Sequence, residues 1–394
     1  MTTGEILYLA FYWPPIGNPQ SYRAWNLARG LAQRGWKVHL FASHTWTYRH
    51  RDFRPKVECP KNLFVHRIPS LSLPVPTRVR KWLTPPGEAD AEWTWRGPVR
   101  DAVEKILVEC KRPILFSSSY PYTSHMAALE VKRRNAVPWT SEFRDPWTRP
   151  FEGARGTGNE RRMEEAVFRT ADRIIVVSEE MKRALFGERM TWDEKCVVLP
   201  GGFDETEFTN LLPAELPGPP PRLLFSGTVY YSFLPALRTL ASVWKETGGS
   251  LIFLGSERRP LRKTGILKRK GVFLLPRMSV ERARGYEAAS DYLLIVVPPK
   301  GQFVLTAKFA SYLRHRKPIV LLSPRNGTLQ RILDGGRYPH LLLPLEEPKA
   351  WGRLLERWLS RSQETVPEEF VRSFCWPEIV RRLENVFKGL QEGG

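Results

Sequence analysis

From Ile6 onward, apolar runs of strand length alternate with stretches of helical period, and the alternation begins afresh after a cluster of prolines. Parallel strands need a crossover between them, so this pattern makes a parallel sheet with helices on its faces. In the first half, strands are expected at Ile6–Phe11, Val38–Ala42, Phe64–Ile68, Pro113–Ser117, Trp139–Phe143, Arg173–Val177 and Lys195–Leu199. Helices are expected at Ser21–Arg34, where Trp25, Leu27, Ala28 and Leu31 share a face, and at Thr123–Arg134 and Glu160–Thr170. Five prolines between Pro213 and Pro221 exclude a helix or strand interior. The second half restarts with strands at Arg222–Ser226, Leu251–Leu254, Val272–Leu274, Tyr292–Val296 and Ile319–Leu322. Its helices are expected at Pro235–Lys245, Ser279–Ala289 and Thr306–His315. The reading is α/β: a first Rossmann-like domain over 1–204, a linker over 205–221 and a second such domain over 222–375. A C-terminal helix at about 376–394 crosses back onto the first. Two doubly wound sheets in tandem are expected to face each other across a cleft, with ligands at their strand ends.

The chain has 394 residues, 42% hydrophobic and 26% charged, which suits two ordinary cores and excludes disorder by composition. Sixty-one Lys and Arg against 41 Asp and Glu give a net charge of +20, which calls for anionic partners. Residues 1–100 carry 15 cations against 6 anions and residues 251–350 carry 19 against 7. The excess is therefore split, unlike the single run of a nucleic-acid tail, and no nucleic acid is expected as a partner. Four scattered cysteines without a CxxC pair fit a reduced, cytoplasmic protein. Seven histidines without HxxxH spacing give no zinc site. The apolar run Ile6–Trp13 ends at Pro14-Pro15, too short to span a membrane and without a basic flank for export.

A P-loop and a GxSxG elbow are both missing. Gly153, Gly156 and Gly158 do not form GxGxxG and read as a loop. Glu88, Asp90 and Glu92 do not form a DxD pair and read as a solvated loop, so no metal ligand is expected. The first strand ends in Trp13-Pro-Pro-Ile-Gly17-Asn18-Pro19, with Arg23 one turn into the next helix. This is either a tight turn needing glycine or a place where a helix N-terminus approaches a phosphate. Thr77-Arg-Val-Arg-Lys-Trp-Leu-Thr, followed by Trp93 and Trp95, interleaves bases and aromatics. It suits an anionic bilayer, single-stranded nucleic acid or an ordinary solvated helix.

Pro14-Pro-x-Gly17 with Arg23, then Leu27-Ala-x-x-Leu31-x-x-x-Gly35-x-x-Val38, resembles the opening of family-4 glycosyltransferases of the GT-B fold. The stretch Pro138-Trp-Thr-Ser-Glu142-Phe-Arg144-Asp145-Pro-Trp147 is similar to a DFRDPW segment of a bacterial branch of that family. Ala171–Glu179, Leu199–Asp204 and Thr306-x-Lys308-Phe-x-x-Tyr312-Leu-x-x-x-Lys317-Pro-Ile319 follow the same family in order.

The resemblance implies a retaining, metal-independent transferase that moves a sugar from a nucleotide-diphosphate sugar to a glycan or lipid-linked acceptor. The nucleotide sugar is a co-substrate and no cofactor is expected. Such enzymes serve polysaccharide assembly, and a peripheral place at the inner face of the membrane is expected. Without a metal, helix N-termini and cations must stabilise the diphosphate as it leaves. The donor-binding residues so implied are Gly17, Asn18, Gly227, Thr228, Arg277, Thr306 and Lys308. Asp145, Arg144 and Glu142 are the catalytic candidates, with Asp145 kept ionised beside Arg144 to orient an acceptor hydroxyl. Glu142 lies on the same strand face as Arg144, so the two can also pair structurally. Arg23, Tyr120 and Tyr122 are the acceptor-binding candidates. Two glutamates of the family fall here at Phe303 and Ser311, so a GT-B protein that binds sugar nucleotide or polysaccharide without transfer is the alternative.

Overall fold

The computed structural model describes residues 3–44, 59–70, 79, 83–148, 156–187, 191–211, 214–301, 305–306, 308–361 and 365–392. The chain divides into two units, Met1–Gly201 with Trp376–Gly394, and Gly202–Cys375.

The first unit opens with β1 (Glu5–Leu9), α1 (Pro19–Gln33), β2 (Lys37–Ser43) and β3 (Leu63–Ile68). It continues through α2 (Arg96–Leu107), β4 (Pro113–Ser118), α3 (Thr123–Arg134) and β5 (Trp139–Phe143). Then come α4 (Gly158–Thr170), β6 (Arg173–Val176), α5 (Glu179–Phe186) and β7 (Cys196–Val198). The strands form one parallel sheet in the order β3-β2-β1-β4-β5-β6-β7. Strand order reverses between β1 and β4, the place where such sheets bind ligands beyond their carboxyl ends.

The second unit repeats the plan. Its elements are β8 (Arg222–Ser226), α6 (Leu234–Lys245), β9 (Ser250–Leu254), α7 (Arg258–Lys263) and β10 (Val272–Leu275). They continue with α8 (Val280–Ala289), β11 (Tyr292–Val296), α9 (Phe309–Arg314) and β12 (Ile319–Ser323). The last are α10 (Thr328–Gly335), β13 (His340–Pro344), α11 (Trp351–Leu359) and α12 (Glu368–Arg372). The order β10-β9-β8-β11-β12-β13 is again parallel and reverses between β8 and β11. The proline-rich stretch packs within this unit. Phe208 is buried between the guanidinium groups of Arg284 and Arg314, each 5.3 Å from its ring, and Ser250 Oγ donates to Pro219 O at 2.8 Å.

Side-chain alternation buries both faces of each sheet. In the first, Leu7 and Leu9 join α2 to α5, while Ile6 and Tyr8 face α1 and the last helix, α13 (Trp376–Glu392). That helix returns to the first unit and seals α1. Gly30 lets it approach, since a Cβ there would come within 2.6 Å of Val380. Glu384, 3% exposed, accepts from Arg34 at 2.5 Å, Trp36 Nε1 at 3.3 Å and Lys388 at 3.0 Å. Phe387 is fully buried against Trp36 and Phe116. Replacing it with alanine removes a core ring from a site lined by other rings, a loss of about 3–5 kcal/mol. Calorimetry of Phe387→Ala should lower the melting of the first unit and leave that of the second in place.

Candidate active site

The first group of candidate residues lies beyond the carboxyl ends of β1, β4 and β5. Asn18 caps α1, its Oδ1 accepting from Ser21 N at 2.8 Å, with Gly17 in the turn before it. That role accounts for the asparagine locally, and the turn brings Arg23 beneath the sheet end. Arg23 is 5% exposed and Glu142 is fully buried, and they form a 2.8 Å ion pair. The expectation that Glu142 pairs with Arg144 is corrected here. Arg23 donates from Nε and Nη2 to Glu142 Oε1, from Nη1 to Pro200 O at 2.9 Å and from Nη2 to Leu199 O at 3.0 Å. Its guanidinium is thus committed within the unit, which makes it a scaffold for the site. Burial pushes the Glu142 carboxyl up, but Arg23, Arg144 and the Ser118 hydroxyl outweigh it and hold the group below the usual range.

Arg144 instead donates from Nε to Ser119 O at 2.8 Å, which joins the ends of β4 and β5. Asp145 follows it. The sequence places an ionised carboxylate beside Arg144; in the structure burial outweighs that arginine and raises the Asp145 carboxyl above its ordinary range. Tyr122 stacks on Trp147 at 4.5 Å with its planes 3° apart, is 9% exposed and donates to Asp145 O at 3.4 Å. Little of its ring is left to stack on a sugar. Tyr120, half-buried, packs edge-on against Tyr122 and stacks with Tyr12.

The structure changes two neighbouring expectations. Asp90 is no solvated loop residue: its carboxylate caps α3, accepting from Thr123 N at 2.9 Å and Thr123 Oγ1 at 2.7 Å. Glu88 pairs with Arg96 at 2.9 Å, and Glu92 is buried. Trp95 is fully buried against Phe11, so it belongs to the core. Most of the basic stretch before it, over 77–84, lies outside the described residues, as does Gly153.

The second group lies at the carboxyl end of the other sheet. Lys308 directly precedes α9, a shorter helix than expected, and lies over the Phe225 ring at 4.0 Å. Its Nζ donates to Ser226 O, while Tyr312 Oη accepts from Ser226 N at 3.1 Å, so the two peptide groups flanking Ser226 are both held. Burial pushes the Lys308 ammonium down to about 8, partly countered by Glu287. Gly227 has φ +116°, and a Cβ there would lie 3.2 Å from Lys308 Nζ. Glycine therefore answers both the backbone and the passing lysine. Gly227 N–H donates to Leu254 O at 2.8 Å, which leaves exposed Thr228 as the backbone donor of that pair.

Thr306 Oγ1 is buried without a hydrogen-bond partner among the described residues, two positions before Lys308. Arg277 is exposed after β10. Ser311 is 5% exposed and its Oγ donates to Lys308 O at 2.8 Å; Phe303 lies outside the described residues.

Sequence reasoning missed the buried Glu287. It accepts from Arg284 at 2.8 Å and pairs with His315 at 2.9 Å, and this holds its carboxyl down at about 2. Its signal was the (i, i+3) spacing to Arg284. Among the described residues no group of three or more His, Cys, Asp or Glu could hold a metal ion, and no helix is long and apolar enough to cross a membrane.

Residues 20–207 match the family model described as Glycosyltransferase Family 4. No curated protein matches the chain. Among solved structures, sucrose-phosphate synthase from Thermosynechococcus elongatus superposes with a TM-score of 0.70 at 15% identity, over 99% of this chain and 100% of that one. HepE of Anabaena in complex with UDP gives 0.67 at 12% identity, over 98% and 100%. The lipopolysaccharide outer core galactosyltransferase WaaB gives 0.62 at 12% identity, over 98% and 99%. Identities this low speak for the fold. The chain therefore has the GT-B fold, and its residues 20–207 match the Glycosyltransferase Family 4 model.

Proposed function

We propose that this chain is a glycosyltransferase that moves a sugar from a nucleoside-diphosphate sugar to a glycan or lipid-linked acceptor in polysaccharide assembly, with retention and without a metal ion. The observation that carries the reading is Lys308. A half-buried lysine, its ammonium held over an aromatic ring beside a glycine that leaves it room, sits at the carboxyl end of a doubly wound sheet. Only one of its three N–H donors has a partner among the described residues, on Ser226 O. The other two suit a diphosphate, whose negative charge grows as the glycosidic bond breaks. Fold relatives whose structures hold UDP and UDP-glucose support that donor class. Thr228, Thr306 and Arg277 are the further donor contacts in this reading.

Asp145 is the candidate for the acceptor hydroxyl. Its raised proton affinity suits a group that accepts a hydrogen bond from a hydroxyl while that hydroxyl attacks. Arg144, anchored on Ser119 O, keeps the turn that carries Asp145 in place.

Ser311 favours a second reading. Where the family carries a carboxylate, this chain has a buried hydroxyl turned back to its own helix. A chain that binds nucleotide sugar without transfer would look the same there. Donor cleavage separates the two: incubated with a panel of nucleotide sugars and no acceptor, a transferase slowly releases free sugar and nucleoside diphosphate. Binding without any release supports the second reading.

Two substitutions test the assigned roles. Asp145→Asn should lower kcat by about 100-fold or more, the scale of lost acid–base assistance, with donor affinity unchanged. A loss seen only in donor binding would move Asp145 to another role.

Lys308→Ala should weaken nucleoside diphosphate binding by roughly ten- to a hundredfold, the worth of a charged hydrogen bond of about 1.5–3 kcal/mol. Binding of the nucleoside should barely change. Because the free ammonium titrates at about 8, calorimetry across that pH should show diphosphate affinity falling as pH rises in the wild type and not in the variant.

A further inference from the structure

Arg144 directly follows β5 at the carboxyl edge of the first sheet, one position before Asp145. β5 lies beside β4, one strand from the reversal of strand order where ligands enter such sheets. The Arg144 side chain is half-buried, and its Nε donates to Ser119 O at 2.8 Å. A guanidinium has five N–H donors, and the four on Nη1 and Nη2 have no partner among the described residues.

The neighbouring acceptors are spent elsewhere. Glu142 Oε1 receives Arg23 at 3.0 and 2.8 Å, and its Oε2 receives Ser118 Oγ at 2.6 Å. Glu142 O receives Ser119 N at 3.0 Å and Ser119 Oγ at 3.2 Å. Asp145 feels the Arg144 charge but makes no ion pair with it among the described residues. Burial presses the Arg144 guanidinium below its ordinary range; Glu142 and Asp145 oppose that shift and Arg23 adds to it.

This position differs from that of an exposed cation, whose charge water satisfies. Anchoring through Nε fixes the plane of the guanidinium, and partial burial withdraws solvent from it. Its free edge carries parallel N–H groups spaced to meet two oxygens of one carboxylate or phosphate. Arg23, in the same cluster, has no such edge left, since its nitrogens are committed to Glu142, Leu199 and Pro200.

We infer that Arg144 is a recognition site for an anionic group, a carboxylate or a phosphate, carried by the acceptor sugar. The inference rests on the reading that Asp145 takes the acceptor hydroxyl. One sugar then presents a hydroxyl to Asp145 and its charged substituent to the adjacent Arg144, with the ring keeping the two anions apart. A neutral acceptor leaves the fork unanswered, so the charge of the acceptor becomes a determinant of specificity.

The test is ligand-observed NMR titration of the full-length chain with glucose, glucuronate and glucose 6-phosphate at fixed ionic strength. At least one anionic sugar should bind about ten- to a hundredfold more tightly than glucose, the worth of a charged hydrogen bond. Preference for glucuronate identifies a carboxylate, and preference for glucose 6-phosphate a phosphate. Arg144→Gln should erase the preference and leave glucose binding in place. Arg144→Lys keeps the charge without the fork and should retain only a fraction of the preference, which decides the matter if the glutamine variant fails to fold. Lys308→Ala should keep the preference.

The inference is overturned if neither anionic sugar is preferred, or if Arg144→Lys keeps the preference in full. It is also overturned if Lys308→Ala abolishes the preference, which would put the anion on the donor side. An equal loss for all three sugars in the Arg144 variants would reduce the residue to a structural role. Donor cleavage is read separately. Cleavage without an anionic preference overturns this inference alone, whereas an Arg144-dependent preference without cleavage upholds the anion site and removes the transfer reading.

Discussion

The carboxyl edge of the first sheet depends on one buried ion pair. Arg23 leaves α1 and reaches Glu142 on β5, and the same guanidinium holds the carbonyls of Leu199 and Pro200 just past β7. Ser118 on β4 donates to the other carboxylate oxygen at 2.6 Å. Four segments distant in sequence are thereby fixed to one another. Burial of two charges is favourable only when the remaining donors and acceptors are met, and here they are. Losing one partner would strand the other charge, a cost of about 3–5 kcal/mol in comparable pairs. The turns that carry Gly17, Tyr120 and Asp145 all spring from these segments, and the bond from Arg144 to Ser119 O ties the last two to each other.

Much of this architecture was legible in the sequence because period and burial agree. Trp139–Phe143, Arg222–Ser226, Tyr292–Val296 and Thr123–Arg134 are read with the bounds the structure has, each a clear run between turn signals. α2 was missed because its mixed sequence, Arg96–Leu107, buries only Val99 and Val103. β13 was missed because His340 and Pro344 frame an apolar run that continues into a further leucine and two acids. The strand is stabilised by pairing with β12, a contact no local pattern announces.

At the site, the residue types were legible and their partners were not. Strand alternation puts Glu142 and Arg144 on one face, but it says nothing of an arginine 119 positions earlier that reaches the carboxylate first. Tyr122 looks like an exposed loop ring until Trp147, also from a loop, stacks on it. Asp90 looks solvated until α3 presents its unpaired N–H groups. In each case the deciding interaction is long-range, and composition near the residue points the other way. Lys308 was read from a motif, yet its place over Phe225 and beneath Gly227 emerges only when β8 and α9 meet.

The charge of the chain resolves along the same line. In the interior, Glu142 is held by Arg23, Glu384 by Arg34 with Lys388, and Glu287 by Arg284 with a hydrogen bond from His315. At the surface, Arg316 meets Glu368 and Arg325 meets Glu347. These pairs take the basic residues that the fold itself requires. Among the described residues, the seven cations of 258–270 form no ion pair, and neither do Arg282, Lys300, Lys317, Arg337 and Lys349 of the same block. A net charge of +20 is thus two populations with different physics. Cations in the interior are fixed by buried partners and respond little to salt. Exposed cations without a partner face solvent, and salt screens them first.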